Sequence, residues 1–153
     1  MKRIAIPVLA AVLALTAGCN GSSPTGPGGP VGTATFSATV DGVAWTADVV
    51  SAVRQSGAVV VTGADATPFS VQISFLEGSG SPIALSDSTP ANGLVNDNLV
   101  FWATAAPGGT GSIEVTELTA SGVKGTFSFT TGVNNAETPA VRVVTGGVFE
   151  VEF

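Results

Sequence analysis

The sequence has no histidine and no tyrosine, and it has a single cysteine, Cys19, among its 153 residues. Nucleophilic triads usually take a histidine as their base, so the lack of histidine excludes serine–histidine chemistry. Zinc sites of the common type need cysteine or histidine ligands, and one cysteine supplies no such set. A lone cysteine also leaves the chain without an internal disulfide, so the stability of the fold has to come from its core.

Charged residues are scarce as well, at 10% of the chain, and basic residues are the scarcest. After residue 18 only Arg54, Lys124 and Arg142 remain against eleven acidic residues, which is a net side-chain charge of −8. Nucleic-acid binding and electrostatic docking on anionic lipid both need clustered lysine and arginine, so we expect neither.

Paired carboxylates are the remaining route to catalysis, because glycosidases place two of them about 5–10 Å apart. Glu150 and Glu152 share one face of the last predicted strand, but they alternate with apolar residues and are predicted to solvate its outer face. Glu114 and Glu117 are an odd number of positions apart, so an unbroken strand would point them to opposite faces. We therefore expect no enzymatic activity.

The first eighteen residues have the organisation of a secretory signal. Lys2-Arg3 is followed by the apolar run 4–16, and Ala17-Gly18 then precede Cys19. Thirteen helical residues reach about 20 Å, which is too short for a bilayer core of about 30 Å. A charged start, a short apolar run and small residues before the cut are typical of such signals. With the cysteine directly after them, the segment resembles the signal of bacterial lipoproteins (the lipobox).

This resemblance implies that residues 1–18 are cleaved and that Cys19 receives diacylglycerol and, usually, an acyl chain such as palmitate on its amine. Attachment through several acyl chains is close to permanent. The alternative is a plain signal peptide with an incidental cysteine. Asn20 stands where aspartate often marks retention at the inner membrane, so the outer membrane is favoured over the inner one. The expected location is the bacterial cell envelope.

Residues 19–32 are predicted to form a flexible tether, because they are rich in glycine, serine and proline and show no periodicity. From residue 33 to residue 153 polar and apolar residues alternate in short runs, and Asp41-Gly42 is a strong hairpin signal. About eight or nine short strands are expected, with 86–97 as a long polar connection. This pattern predicts an all-β domain, a single antiparallel β-sandwich or a flattened barrel.

Three segments of this domain, 36–47, 125–129 and 144–149, together resemble a family of uncharacterised secreted bacterial domains that are typically lipoproteins. The resemblance implies a β-rich fold. It implies no activity, because none is established for the family.

Two aromatic residues are candidate ligand contacts. Phe101 and Trp102 are neighbours in a predicted strand, so they point to opposite faces, and whichever is exposed is the favoured contact. Trp45 lies in line with Val43 and Ala47, which indicates a core position. Asp87 and Asp97, with nearby asparagines, are weak candidates for calcium, although asparagine and aspartate are also common turn residues. No cofactor is predicted.

These observations favour a membrane-anchored envelope lipoprotein whose domain has a non-catalytic binding, scaffolding or structural role. Its membrane link would be the lipid, and its partner an unknown envelope protein or glycan. The alternatives are a carbohydrate- or calcium-binding module and, from another class, a glycoside-processing enzyme.

Overall fold

The computed structural model describes residues 34–134, 136–137 and 139–153, and these residues form eleven strands and no helix. The predicted signal peptide, Cys19 and the predicted tether lie outside the described residues. The strands are β1 (Thr35–Val40), β2 (Val43–Thr46), β3 (Val49–Gln55), β4 (Ala58–Ala64), β5 (Phe69–Leu76), β6 (Ile83–Ser86), β7 (Asn92–Asp97), β8 (Val100–Ala103), β9 (Thr110–Leu118), β10 (Gly122–Thr130) and β11 (Val143–Glu152).

The strands form two antiparallel sheets. The first has the order β2-β1-β11-β10-β9-β6 and the second the order β3-β4-β5-β7-β8. Both sheets have open edges in the part of the chain that the structure describes, which decides for the sandwich over the flattened barrel. The all-β prediction is confirmed, with more strands than the eight or nine expected.

Two of the additional strands, β3 and β7, lack the alternation of polar and apolar residues that predicts a strand. The segment Val-Val-Ser-Ala-Val in β3 is apolar on both faces, so the alternation of period two is lost. β7 is mostly polar and lies inside the predicted connection, but it pairs with β5 on one side and β8 on the other. Pairing on both sides satisfies the backbone of β7, so tertiary context makes it a strand.

The adjacent glycines Gly146 and Gly147 predict a turn between two strands, but β11 is one continuous strand through them. One extra residue of β11 is accommodated there, since its register with both β1 and β10 shifts at this point. The bulge replaces the expected turn, because a bulge absorbs an extra residue without ending the pairing.

β11 of the first sheet crosses the strands of the second sheet. Just before β11, Arg142 lies over the ring of Trp102 in β8, 4.5 Å from its centroid. Just after β11, Phe153 lies 5.7 Å from the guanidinium carbon of Arg54 in β3. β8 and β3 are the two edges of the second sheet, so β11 crosses that sheet from one edge to the other.

Phenylalanine rings of the first sheet fill the core. Phe127 stacks within 5.0–6.2 Å of Phe36, Phe129 and Phe149, centroid to centroid. Two glycines of the second sheet make room for these rings. A Cβ at Gly63 would lie 2.6 Å from Phe36, and one at Gly93 would lie 2.7 Å from Phe129. Phe127 and Phe129 alternate with polar residues along β10, and both are buried, as is Phe149 in β11.

Candidate functional site

A pocket of about 370 Å³ opens at one corner of the sandwich. At this corner the tip of the β1–β2 hairpin lies beside the β4–β5 turn and the β7–β8 turn. We call this the corner pocket, and it is lined by Val40, Asp41, Val43, Ala44, Trp45, Asp65, Thr67, Phe69, Asp97 and Arg142. Ligand pockets typically have volumes of about 300–1,000 Å³ and combine apolar walls with a few polar groups, and this pocket matches that description.

The predicted Asp41-Gly42 turn builds one side of the pocket. Asp41 and Gly42 have φ values of 50° and 83°, which confirms the hairpin, since both residue types tolerate this region. Beyond the turn, Val43 is 69% exposed and Trp45 is half-buried. The core position indicated for Trp45 is confirmed in part, since Trp45 and Ala47 pack against the core while Val43, in line with them, is exposed on edge strand β2.

Trp45 forms the aromatic wall of the corner pocket. Its ring packs edge-on against Phe36 at 6.0 Å and against Phe69 at 5.5 Å. Its indole Nε1 donates a hydrogen bond of 2.8 Å to Oδ2 of Asp65. These contacts from both sheets hold the indole in one orientation, as a ring-binding surface requires.

Asp65 is held as a carboxylate by several donors. Its Oδ1 accepts hydrogen bonds from the Thr67 hydroxyl and, at 2.8 Å, from the Thr67 amide, while Oδ2 accepts from Trp45. The hydroxyl bond from Thr67, supported by the other two donors, lowers the pKa of Asp65 against the opposing effect of burial. Asp65 is therefore negatively charged at neutral pH.

Arg142 supplies the positive charge of the pocket. Its Nη1 donates to Oδ2 of Asp41 at 2.8 Å and its Nη2 to Oδ2 of Asp97 at 2.5 Å, and its side chain is only 15% exposed. Asp41 also accepts a hydrogen bond from the amide of Val143. One guanidinium thus joins the β1–β2 hairpin of the first sheet to the end of β7 in the second. Three carboxylates against one guanidinium leave the lining with a charge of −2.

Of the two aromatic candidates, Trp102 is buried and Phe101 is exposed, which confirms that they point to opposite faces. Trp102 is 4% exposed, and its Nε1 donates to the backbone oxygen of Pro139 at 3.1 Å. Phe101 is 54% exposed on the outer face of the second sheet. Phe101 does not line the corner pocket, so its role as a ligand contact stays a prediction.

The two calcium candidates lie in different surroundings. Asp87 follows β6 of the first sheet, whereas Asp97 ends β7 of the second sheet and is paired with Arg142. β7 interrupts the polar connection in which they were placed. Among the described residues, no group of three or more aspartate, glutamate, histidine or cysteine side chains is arranged to hold a metal ion.

The carboxylates of the first sheet all lie on its outer face. Glu150 and Glu152 are exposed there, as expected. Glu114 and Glu117 were expected on opposite faces, and this is wrong for the folded chain. β9 has a bulge between Val115 and Glu117, so both glutamates share the outer side. Glu117 forms a 2.6 Å ion pair with Lys124 and is the largest cause of the raised pKa of that lysine.

Residues 32–152 match the family model described as a domain of unknown function, DUF6252. The chain belongs to this family. No similar curated protein and no similar solved structure was found. No helix within the described ranges is long and apolar enough to cross a membrane.

The three segments that carried the resemblance lie within the family match. Segment 36–47 forms β1, β2 and their turn, and so it supplies half of the corner-pocket lining. The other two segments lie in β10 and in β11, and β11 pairs with both β1 and β10. The β-rich fold implied by the resemblance is confirmed.

The sequence did not reveal the corner pocket, although Asp-Gly-Val-Ala-Trp was recognised as a hairpin. The members of the pocket are far apart in the chain, and Asp41 and Arg142 are separated by 101 positions. Pairing of β1 with β11 brings these two together, and packing of the second sheet adds Asp65, Phe69 and Asp97.

Proposed function

We propose that this chain is a lipid-anchored envelope protein whose DUF6252 domain binds a glycan in the corner pocket. The observation that carries the proposal is the placement of Trp45 and Phe69 beside the carboxylates of Asp41, Asp65 and Asp97. Sugar rings offer apolar faces that stack on aromatic rings and hydroxyl donors that carboxylates accept.

The electrostatics of the pocket favour a neutral or hydroxyl-rich ligand over an anionic one. The lining has a net charge of −2, and its guanidinium is already engaged by two carboxylates. An anionic ligand would be repelled, because its charge would meet carboxylates without a free cation.

The proposed membrane link depends on Cys19 and the tether that follows it. β1 runs from Thr35 to Val40 at the pocket, a distance of about 17 Å at ~3.3 Å per residue. The pocket therefore lies at the end of β1 that is farther from Cys19 along the chain.

The anchor is tested by Cys19→Ser in cells given a labelled fatty acid. We expect the wild-type chain to take up label and sediment with membranes, and the variant to lose both. Label that persists in the variant would refute the lipid assignment.

The pocket is tested by tryptophan fluorescence of the full chain titrated with glucose, galactose, N-acetylglucosamine and their β-linked disaccharides. We expect a saturable signal for at least one sugar and its loss in Val43→Arg, because Val43 is exposed and lines the pocket opening. Val133→Arg is the matched control, since Val133 is 46% exposed and is not part of the lining. No saturation up to about 10 mM sugar would contradict glycan binding, because a Kd of about 10 mM already corresponds to a binding free energy of only about −2.7 kcal/mol.

A second candidate is a protein partner, as in the scaffolding role considered above. Val43 at the pocket and Leu99 in the β7–β8 turn are 69% and 80% exposed. Asp41 and Asp97, which flank these two turns, are linked through Arg142. Contiguous apolar patches with a polar rim mark protein contacts, so a partner that covers both turns is the alternative occupant of this corner.

A further inference from the structure

The corner pocket has more negative charge than its own cation neutralises. Arg142 is shared between Asp41 and Asp97, at 2.8 Å and 2.5 Å. The third carboxylate of the lining, Asp65, accepts hydrogen bonds from neutral donors only. The other two cations among the described residues pair with glutamates outside the lining. An electrostatically complementary ligand therefore brings a positive charge of its own.

Two of the three carboxylates have oxygens that are still available to a ligand. Asp97 accepts from Arg142 through Oδ2, and no described residue donates to its Oδ1. Asp41 accepts one hydrogen bond at each oxygen, from Arg142 and from the amide of Val143. An ionised carboxylate offers about four lone-pair positions, so both aspartates keep free ones. The side chains of Asp97 and Asp41 are 44% and 32% exposed, which leaves these oxygens within reach from solvent.

The aromatic walls of the pocket suit a cation as well as a sugar ring. The rings of Trp45 and Phe69 are 5.5 Å apart, centroid to centroid, and are inclined at 66°. Both residues are half-buried, so part of each side chain remains accessible in the lining. The face of an aromatic ring attracts a positive charge through its quadrupole, and tryptophan does so most strongly. Aromatic rings beside carboxylates therefore favour a ligand with both an apolar face and a cationic group.

We propose that the ligand of the corner pocket is an amino sugar whose amine is free and protonated. This inference rests on the glycan-binding function proposed above and names the class of glycan. In this arrangement the sugar ring stacks on Trp45 or Phe69, and the ammonium group donates to the free oxygens of Asp97 and Asp41. Hydrogen bonds between such ions are shorter and stronger than those between neutral groups.

The hydrogen-bond donors of the ligand distinguish an amino sugar from related molecules. An ammonium group has three N–H donors together with its positive charge. N-acetylation removes the charge and leaves a single N–H, so an acetylated sugar gains less from the carboxylates. A quaternary ammonium has no N–H and cannot use the free oxygens of Asp41 and Asp97. The pocket is therefore expected to prefer a sugar with an unmodified amine.

The test compares glucosamine with N-acetylglucosamine by tryptophan fluorescence of the full chain at pH 6 and at pH 9. We expect glucosamine to bind about tenfold more tightly at pH 6, because only its charge is attracted by the carboxylates. An amine of this kind loses its proton at about pH 8, as an α-amino group does, so the advantage should be lost at pH 9. The ionisable side chains of the lining are aspartate and arginine, and the chain has no histidine, so the change reports the charge of the ligand.

Asp97→Asn tests the carboxylate assigned to the amine. We expect the ratio of the two affinities at pH 6 to fall from about tenfold to about threefold, because one negative charge of the lining is removed. The ratio is insensitive to a general weakening of the pocket, since both sugars share the same ring. Asp87→Asn removes a charge from an exposed loop residue outside the lining and should keep the ratio of the wild type. Circular dichroism checks that both variants are folded.

Ethanolamine, which has an ammonium and a hydroxyl but no ring, separates recognition of the sugar from recognition of the amine alone. It should bind about tenfold more weakly than glucosamine, since it cannot stack, and equal binding would overturn the inference. Equal affinities of the two sugars at pH 6, or an unchanged ratio in a folded Asp97→Asn chain, would overturn it too and leave glycan binding in place. If neither glucosamine nor any neutral sugar saturates the chain, the proposed function itself fails, and this inference fails with it.

Discussion

At the scale of single residues, the orientation of the Trp45 indole depends on the Asp65 carboxylate. The carboxylate orients the indole through a 2.8 Å hydrogen bond, and Thr67 holds the carboxylate in turn. Because the pKa of Asp65 is lowered in the folded protein, its contribution to stability is present above about pH 4 and is lost as the pH falls through the lowered pKa.

Asp65→Asn is expected to lower the melting temperature at pH 7. It should also make the melting temperature fall less between pH 5 and pH 2 than it does in the wild type. Glu77, whose pKa is lowered by Arg54, keeps part of the acid dependence in the variant. Thermal unfolding followed by circular dichroism across pH measures both effects. Asp87→Asn, an exposed loop residue, serves as the control and should follow the wild type. A variant curve parallel to that of the wild type would contradict the assigned role of Asp65.

At the scale of elements, the turns differ in how well their residues suit their backbone conformation. Asp41-Gly42 suits positive φ, and its prediction as a hairpin is confirmed. The β7–β8 turn has Asn98 at φ 50° and Leu99 at φ 71°, with the leucine 80% exposed. A leucine in the left-handed region costs about 1–2 kcal/mol and gains little from burial here.

Leu99→Gly is therefore expected to stabilise the domain by about 0.5–1 kcal/mol, since glycine adopts this φ freely but makes the unfolded chain more flexible. Urea unfolding gives the difference in stability. Val43→Gly is the matched comparison, because Val43 is also exposed but lies in β2, and glycine weakens a strand. A lower urea midpoint for Leu99→Gly than for wild type would contradict the inferred strain.

Arg142 acts at the scale of the whole molecule, because it joins the two crossing sheets. It pairs with Asp41 of the first sheet and Asp97 of the second, and it lies 4.5 Å above the ring of Trp102. With 85% of its side chain removed from solvent, these contacts are weakly screened.

Arg142→Met should lower the free energy of unfolding by about 2–3 kcal/mol, since two partly buried carboxylates lose their partner. It should also change the fluorescence of Trp102. Lys124→Met removes an ion pair that is about half exposed and is expected to have little effect. Equal effects of the two substitutions on the urea midpoint would show that Arg142 has no special linking role.

The sequence by itself determined the all-β class, most strand positions and the Asp41-Gly42 hairpin, because alternation and turn residues are local properties of the chain. It also excluded histidine-dependent chemistry by composition. Only the tertiary structure made strands of β3 and β7, kept β11 continuous through a bulge and put Glu114 and Glu117 on one face. The pairing of β1 with β11 and the packing of the two sheets decided the corner pocket, since Trp45, Asp65 and Arg142 come from segments that are distant in the chain.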